Sequence, residues 1–312
     1  MIEVSHLTKK YGKHVAVDDL SFQLEEGKIY GFLGPNGAGK STTLNMMTGY
    51  LASTSGEVKI NGYDILKEAE QAKRNIGYLP EIPPVYDNMT VLEYLVFVAE
   101  LKGIQKTEQA GQIRNVMELT RISDMQDRLI QNLSKGYRQR VGIAQAVLGY
   151  PAIIILDEPT VGLDPKQIIE IRELIKELGK KHTVILSSHI LTEISAVCDY
   201  VLILSHGKLV ASDTLDNLQG ILNGNGRLEL TVRGDEKAVK SVIGTLKKTE
   251  KSEVRQQEQD CEVILETAAG TDIRQEVFFA FAKAQLPIIR MELRHMTLED
   301  VFLELTGEKE GK

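Results

Sequence analysis

Gly34, Pro35, Asn36, Gly37, Ala38, Gly39, Lys40 and Ser41 follow the spacing G-x-x-x-x-G-K-[ST], which belongs to a loop that wraps a nucleotide's phosphates. Gly34, Gly37 and Gly39 permit backbone angles that side chains forbid, so successive N–H groups converge on a phosphate at the positive end of a helix. Lys40 adds a full charge for the β- and γ-phosphates, and the Ser41 hydroxyl is suited to the Mg2+ that travels with them. With Thr42 in the same first helical turn, residues 34–42 form the candidate nucleotide-binding set. A second chemical pair, Asp157-Glu158, closes the apolar run Ile153–Leu156. A strand end can hold Asp157 beside the metal, while Glu158, one residue on, points elsewhere and can polarise a water for in-line attack.

Such residues need elements to position them. Lys28–Leu33 reads as a short apolar strand entering the phosphate loop, and Ser41–Met47 as a helix leaving it. Further strands are expected at 2–7, 20–24, 57–61, 75–79, 152–156, 183–187 and 200–204, an alternation with helices that predicts an α/β body around a largely parallel sheet. Residues of about 82–149 interrupt it as an inserted helical subdomain, with Thr90 capping Val91–Leu101 and Gly103 stopping it. The first domain is expected to span 1–220. A Gly/Asn-rich hinge at 221–226 follows, and 227–306 then reads as a small α+β domain with a β-α-β-β-α-β, ferredoxin-like pattern. Leu228, Leu230 and Val232 alternate, as do Cys261, Val263 and Leu265, whereas Ile273, Val277 and Phe281 keep helical spacing. Thr297–Leu305 reads as a closing helix and 307–312 as a charged tail.

Composition narrows the partners. A chain of 312 residues with 42% hydrophobic and 26% charged residues is ordinary for a globular protein of about two domains. Its formal charge of −7 gives no footprint for nucleic acid, so no nucleic-acid partner is expected. Cys198 and Cys261 stand far apart in no metal-ligand spacing and read as buried reduced thiols, which fits a cytosolic compartment. The N-terminus lacks a signal-peptide pattern, and no apolar run approaches the roughly 18 residues of a membrane span. Service to a membrane would require a partner.

With Pro159–Pro165 following the acidic pair, the first 215 or so residues resemble the ATP-binding subunit of an ABC transporter. Leu133-Ser134-Lys135-Gly136-Tyr137 stands where that family has its signature loop, Gly162-Leu163-Asp164 resembles its dimer-interface loop, and Ser187-Ser188-His189 resembles its switch-histidine segment. Tyr11, before Gly12, matches the aromatic residue that stacks on adenine. The resemblance implies a P-loop NTPase fold and ATP with Mg2+ as cofactors. It further implies that Ser134, Lys135, Gly136 and Tyr137 meet a γ-phosphate bound to another subunit, and that His189 holds that phosphate, the water and Glu158 in place. Lys40, Glu158 and His189 are then the catalytic candidates, and Ser41 and Asp157 the metal ligands.

Two segments depart from the family pattern. Glu81 stands where a glutamine usually reaches the metal; it can still offer an oxygen, yet it adds negative charge beside phosphates. Lys135 and Tyr137 replace glycine and glutamine, and the lysine either strengthens phosphate attraction or is simply solvated. Both departures, and Met296–Thr306, resemble the branch paired with ABC-2-type permeases in drug export and gliding. The reading that follows is an ATP-hydrolysing subunit, peripheral on the inner face of the membrane, that pairs head to tail with itself or a related chain. The surface near Glu81, Pro83, Pro84 and Tyr86 would pass motion to an integral-membrane permease. The alternative, a soluble relative acting on a ribosome or nucleic-acid complex, usually carries two cassettes or a long coiled-coil insertion, and this sequence shows neither.

Overall fold

The apolar runs that flank the chemical residues become buried strands. A computed structural model describes residues 1–215, 217–218, 226–246, 249–267 and 271–294, and these divide after Leu215 into two units. The first runs β1 (Ile2–Tyr11), β2 (His14–Leu24), β3 (Ile29–Leu33), α1 (Lys40–Met47), β4 (Ser55–Ile60), β5 (Tyr63–Asp64), α2 (Ala69–Arg74), β6 (Ile76–Leu79), α3 (Val91–Leu101), α4 (Lys106–Leu119), α5 (Lys135–Val147), β7 (Ile153–Leu156), α6 (Pro165–Gly179), β8 (Thr183–Ser188), α7 (Leu191–Ser195), β9 (Tyr200–Ser205) and β10 (Lys208–Thr214).

Sequence patterning anticipates one largely parallel sheet here, and the structure builds two. A six-stranded sheet has the order β10-β9-β3-β8-β7-β6, parallel except where β10 joins. A separate antiparallel sheet has the order β2-β1-β4-β5. The reason is local: only Gly12 and Lys13 separate the paired residues Tyr11 and His14, so β1 and β2 must fold back as a hairpin. β10 arises the same way, through His206 and Gly207 with φ of 49° and 77°, the double positive φ of a tight hairpin turn. Phe22 of the antiparallel sheet meets Phe32 of β3 edge-on at 5.5 Å, within a shared core that includes Leu44, Ile155, Ile185 and Leu202.

Within the inserted helices the local signals act as read. Thr90 and Glu93 form a reciprocal capping box on α3, and Gly103 follows with φ 69°. Close approach of α5 to β6 requires Gly77, where a Cβ would sit 2.1 Å from the Ala146 carbonyl oxygen.

The second unit holds β11 (Gly226–Arg233), α8 (Glu236–Ile243), β12 (Thr249–Gln257), β13 (Asp260–Thr267), α9 (Arg274–Lys283) and β14 (Ile288–Arg294). Its strands form an antiparallel sheet of order β12-β13-β11-β14, the ferredoxin-like arrangement. Leu228, Leu230, Cys261 and Val263 pack against Val239, Val277 and Phe281 from the two helices. β12 carries little apolar alternation because it is an edge strand with mostly exposed side chains. Of the 221–226 hinge, residues 221–225 lie outside the described residues, as do the closing helix expected at 297–305 and the 307–312 tail.

Both cysteines are buried, and burial pushes each thiol above its ordinary pKa, strongly for Cys198. Since the thiolate is the reactive form, the native protein should resist a thiol reagent such as Ellman's, while denaturant should release two equivalents of reactivity. Rapid reaction of either thiol without denaturant would contradict the burial.

Candidate active site

The site forms where three parallel strands end. Leu33 of β3 pairs with Ser188 of β8, and Leu156 of β7 pairs with Leu186. The residues after these strands, Gly34, Asp157 and His189, therefore emerge at one sheet edge, where open α/β sheets place their ligand crevice. A cleft of about 380 Å³ opens there. The phosphate loop contributes Asn36, Gly37, Gly39, Lys40, Ser41 and Thr42, and Glu158, His189, Glu81 and Tyr11 complete much of the wall.

The loop's glycines have measurable causes. Gly37 and Gly39 adopt φ of 83° and 98°, the left-handed region that disfavours side chains. A Cβ on Gly34 would lie 2.4 Å from the Leu204 carbonyl oxygen, so β9 closes the loop's floor. Lys40 opens α1 only 5% exposed. Its Nζ donates to the Gly34 and Pro35 carbonyls at 2.7 and 3.2 Å and stands 3.7 Å from Glu158 Oε1. Burial draws the Lys40 ammonium below the ordinary lysine range, an effect that Glu158, Asp157 and Glu81 oppose.

Asp157 and Glu158 are 3% and 7% exposed. The Ser41 hydroxyl donates to Asp157 Oδ1 at 3.1 Å, and the Ser187 hydroxyl donates to the same oxygen at 2.5 Å. Ser187 Oγ in turn accepts from the Glu158 N–H at 2.9 Å. That bond matters because Glu158 has φ 46°, a left-handed conformation costing a non-glycine residue roughly 1–3 kcal/mol. The sharp turn aims two consecutive acids in different directions, and Ser187 holds it. His189 Nδ1 lies 3.2 and 3.1 Å from the two Glu158 carboxylate oxygens. A carboxylate only accepts, so the contact puts a proton on Nδ1 and leaves Nε2 uncommitted among the described residues.

Of the sequence candidates, Tyr11, residues of the phosphate loop, Glu81, Asp157, Glu158 and His189 meet in or beside this one cleft. Tyr11 is half exposed at its mouth with Lys9 Nζ 5.3 Å over the ring. Ser134, Lys135, Gly136 and Tyr137 do not line it. Ser134 caps α5, accepting from the Tyr137 N–H, and a Cβ on Gly136 would meet the Gln167 carboxamide at 2.6 Å. Asp164 caps α6 through the Gln167 N–H, and Gly162, with φ 68°, lies directly under the Lys135 ammonium. Sequence reading named Ser187 only as part of the switch-histidine segment and gave it no role of its own, since its contacts with Asp157 and the Glu158 N–H appear only in the fold. It missed His14, Ala16 and Val161 in the cleft wall, which carry no motif.

Known proteins match this chain in sequence and in fold. The family model described as ABC transporter matches residues 17–161. The bacitracin transport ATP-binding protein BcrA of Bacillus licheniformis is 35% identical over 98% of this chain and 97% of its own length. The linearmycin resistance ATP-binding protein LnrL of Bacillus subtilis is 32% identical over 98% of both. Among solved structures, a dimeric post-hydrolysis ATP-binding cassette bound to ADP and Pi superposes with a TM-score of 0.63, at 25% identity, over 69% of this chain and 99% of that one.

Lys40 gives the cleft a pH dependence of defined sign. Its lowered pKa means that the cation is lost at a lower pH than the ordinary 10.5, so affinity for a polyphosphate should weaken as pH rises, with the break below 10.5. Calorimetric titration of pyrophosphate across that range should show this break, and Lys40→Met should remove it.

Proposed function

This chain belongs to the family of ABC transporter ATP-binding subunits, and from that premise we propose that its cleft hydrolyses ATP to drive an ABC-2-type export permease. The observation that carries the site assignment is the convergence of Lys40, Ser41, Asp157, Glu158 and His189 at one edge of the parallel sheet.

The chemistry follows from these side chains. Phosphate oxygens entering the loop compete with the Gly34 and Pro35 carbonyls for Lys40 and draw it from its ion pair with Glu158. Glu158 is then free to take a proton from water as the water oxygen attacks the γ-phosphorus, while the bond to the β–γ bridging oxygen breaks and ADP departs with that electron pair. Lys40 and the loop N–H groups offset the charge that builds on the phosphate oxygens. His189 holds Glu158 from the side through Nδ1–H, and as the imidazolium, in which both ring nitrogens carry a proton, it also donates Nε2–H to the γ-phosphate. Mg2+ would be held by Ser41 and Asp157, with Glu81 as a further oxygen donor, and supplies Lewis-acid neutralisation of the phosphates. The donor set fits: hard oxygens from one hydroxyl and one or two carboxylates suit a cation that completes its shell with phosphate and water.

ABC ATPase subunits pair with membrane permeases and dimerise. For this chain we assign Ser134, Lys135, Gly136 and Tyr137 to the γ-phosphate of a second subunit, identical or related, and Gly162, Leu163 and Asp164 to the contact between the two. Tyr11 at the cleft mouth is assigned to the adenine ring. The permease is assigned to the face around Ile82 and Tyr86, and their exposure, 82% and 53%, beside Glu81, Pro83 and Pro84 supports that reading. No helix among the described residues is long and apolar enough to cross a membrane, so attachment to the inner membrane face would run through that permease. The names of the bacitracin and linearmycin relatives support export as the direction.

Lys40→Ala should lose tight ATP binding while circular dichroism stays unchanged. Glu158→Gln should keep ATP affinity within about threefold but lower turnover by at least ~100-fold, because the amide matches the shape yet cannot take the proton. Retained turnover in Glu158→Gln would move the base elsewhere, with Glu81 first in line.

The second unit we read as an accessory that tunes subunit or permease contacts, since every phosphate-handling residue precedes it. A chain ending at Gly220 should therefore fold and bind ATP with wild-type affinity in calorimetry. A collapse of affinity with an intact fold would place the second unit in the nucleotide site.

A further inference from the structure

One buried carboxylate beside these residues plays no part in the hydrolysis. Glu193 of α7 is 5% exposed, and its Oε2 accepts from Thr160 Oγ1 at 2.6 Å and from Ser188 Oγ at 2.9 Å. Burying a carboxylate costs free energy that hydrogen bonds must offset, whereas an apolar side chain such as the adjacent, fully buried Ile194 would fill space without that cost. The two hydroxyls it holds belong to segments with different tasks. Ser188 ends β8 immediately before His189 and also accepts from the Ile190 N–H at 3.0 Å, so it fixes the backbone on both sides of the histidine. Thr160 lies two residues past Glu158, and its carbonyl accepts from the Leu163 N–H at 3.2 Å, at the start of the Gly162–Asp164 loop. The neighbouring Ser187 is occupied otherwise, with Asp157 and the Glu158 N–H. Two consecutive serines thus divide the work: one holds the acids, the other reaches the loop through Glu193.

We infer that Glu193 is a positioning residue that, by holding Thr160 and Ser188 with one buried oxygen, couples the subunit-facing loop to the switch histidine. The inference rests on the roles proposed above for His189 and Gly162–Asp164. Displacement of that loop by a second subunit pulls Thr160, and through Glu193 the same displacement reaches Ser188 and the aim of His189 on Glu158. The phosphate loop is outside this chain of bonds. Loss of the coupling should therefore slow turnover without weakening ATP capture.

The test is steady-state ATP hydrolysis by the full-length protein, four single variants, Thr160→Val, Ser188→Ala, Glu193→Ala and Glu193→Gln, and the Thr160→Val/Ser188→Ala double variant, each with a thermal melt. Thr160→Val and Ser188→Ala remove one hydroxyl each at nearly constant shape and should lower kcat about tenfold with KM for ATP within about twofold. Their combination should fall no further than Glu193→Ala, because all three cut the same link. Glu193→Gln keeps an oxygen acceptor in place and should recover at least about a third of the wild-type kcat. Thr160→Val and Ser188→Ala proteins that turn over at the wild-type rate would overturn the inference whether or not Glu193→Ala folds. So would a Glu193→Gln as slow as Glu193→Ala. If instead the wild-type protein and Glu158→Gln hydrolyse ATP equally, the assignment of the base fails first, and the two failures are told apart.

Discussion

The register of three parallel strands is the constraint on which the rest depends. β3 and β7 both pair with β8, and the pairs Leu33–Ser188 and Leu156–Leu186 bring the phosphate loop, the two acids and the histidine to the same edge. A slip of one residue would turn every side chain of a strand to the opposite face. Burial opposes it: β3, β7 and β8 are buried along their whole length, so a slip would pull side chains such as Phe32, Ile155 and Ile185 out of the core that receives them. Site geometry is thus a by-product of core packing, fixed before any ligand contact is made.

At that edge the site gathers charges that would not survive burial singly. Asp157, Glu158 and Lys40 are all less than 8% exposed, and an isolated buried charge is costly unless paired and hydrogen-bonded. Here the ion pair between Lys40 and Glu158, the two hydroxyls on Asp157 and the histidine on Glu158 offset the cost together. The balance is nonetheless poised. Lys40 is spread over two carbonyls and one carboxylate, each a weaker partner than a phosphate would be, which is what a binding site for a polyanion requires. The left-handed Glu158 is a second stored cost, tolerated because Ser187 satisfies its N–H.

The phosphate loop and the acids were legible in the sequence because each sits at an abrupt change from an apolar run to residues of special chemistry, whereas His189 follows two serines and stood out only through the family resemblance. The capped helix α3 and the β-α-β-β-α-β order of the second unit were legible from periodicity and caps. What the sequence hid shares one physical trait: it depends on side-chain contacts between segments distant in the chain. Ser187 and Glu193 look like any strand-end hydroxyl and helical acid until β7 and β8 are paired. The split into two sheets was hidden for a related reason, since an alternating run shows that one face is buried but not which partner buries it. β12, exposed on an edge, carried almost no signal at all.

Ser134 and Gly136 sit at a capped helix N-terminus suited to an anion, yet they do not line the cleft of their own chain. The body that carries them is firmly tied. Arg140 of α5 donates to the Thr120 carbonyl at 3.0 Å and to Glu170 of α6 at 2.5 Å. Lys102 caps the far end of α5, donating to the Gln145, Ala146 and Leu148 carbonyls, with burial drawing its ammonium down to about 8. Gly136 presses on Gln167, and Lys135 covers Gly162. The helix end and the Gly162–Asp164 loop are therefore fastened to one another through α6, and that loop is fastened through Thr160 and Glu193 to Ser188. On the proposed reading, a phosphate engaged at the helix end belongs to the second subunit, while the histidine at the other end of these bonds attends the chain's own. A continuous set of packed and hydrogen-bonded contacts joins the two, so neither half-site can shift without loading the other.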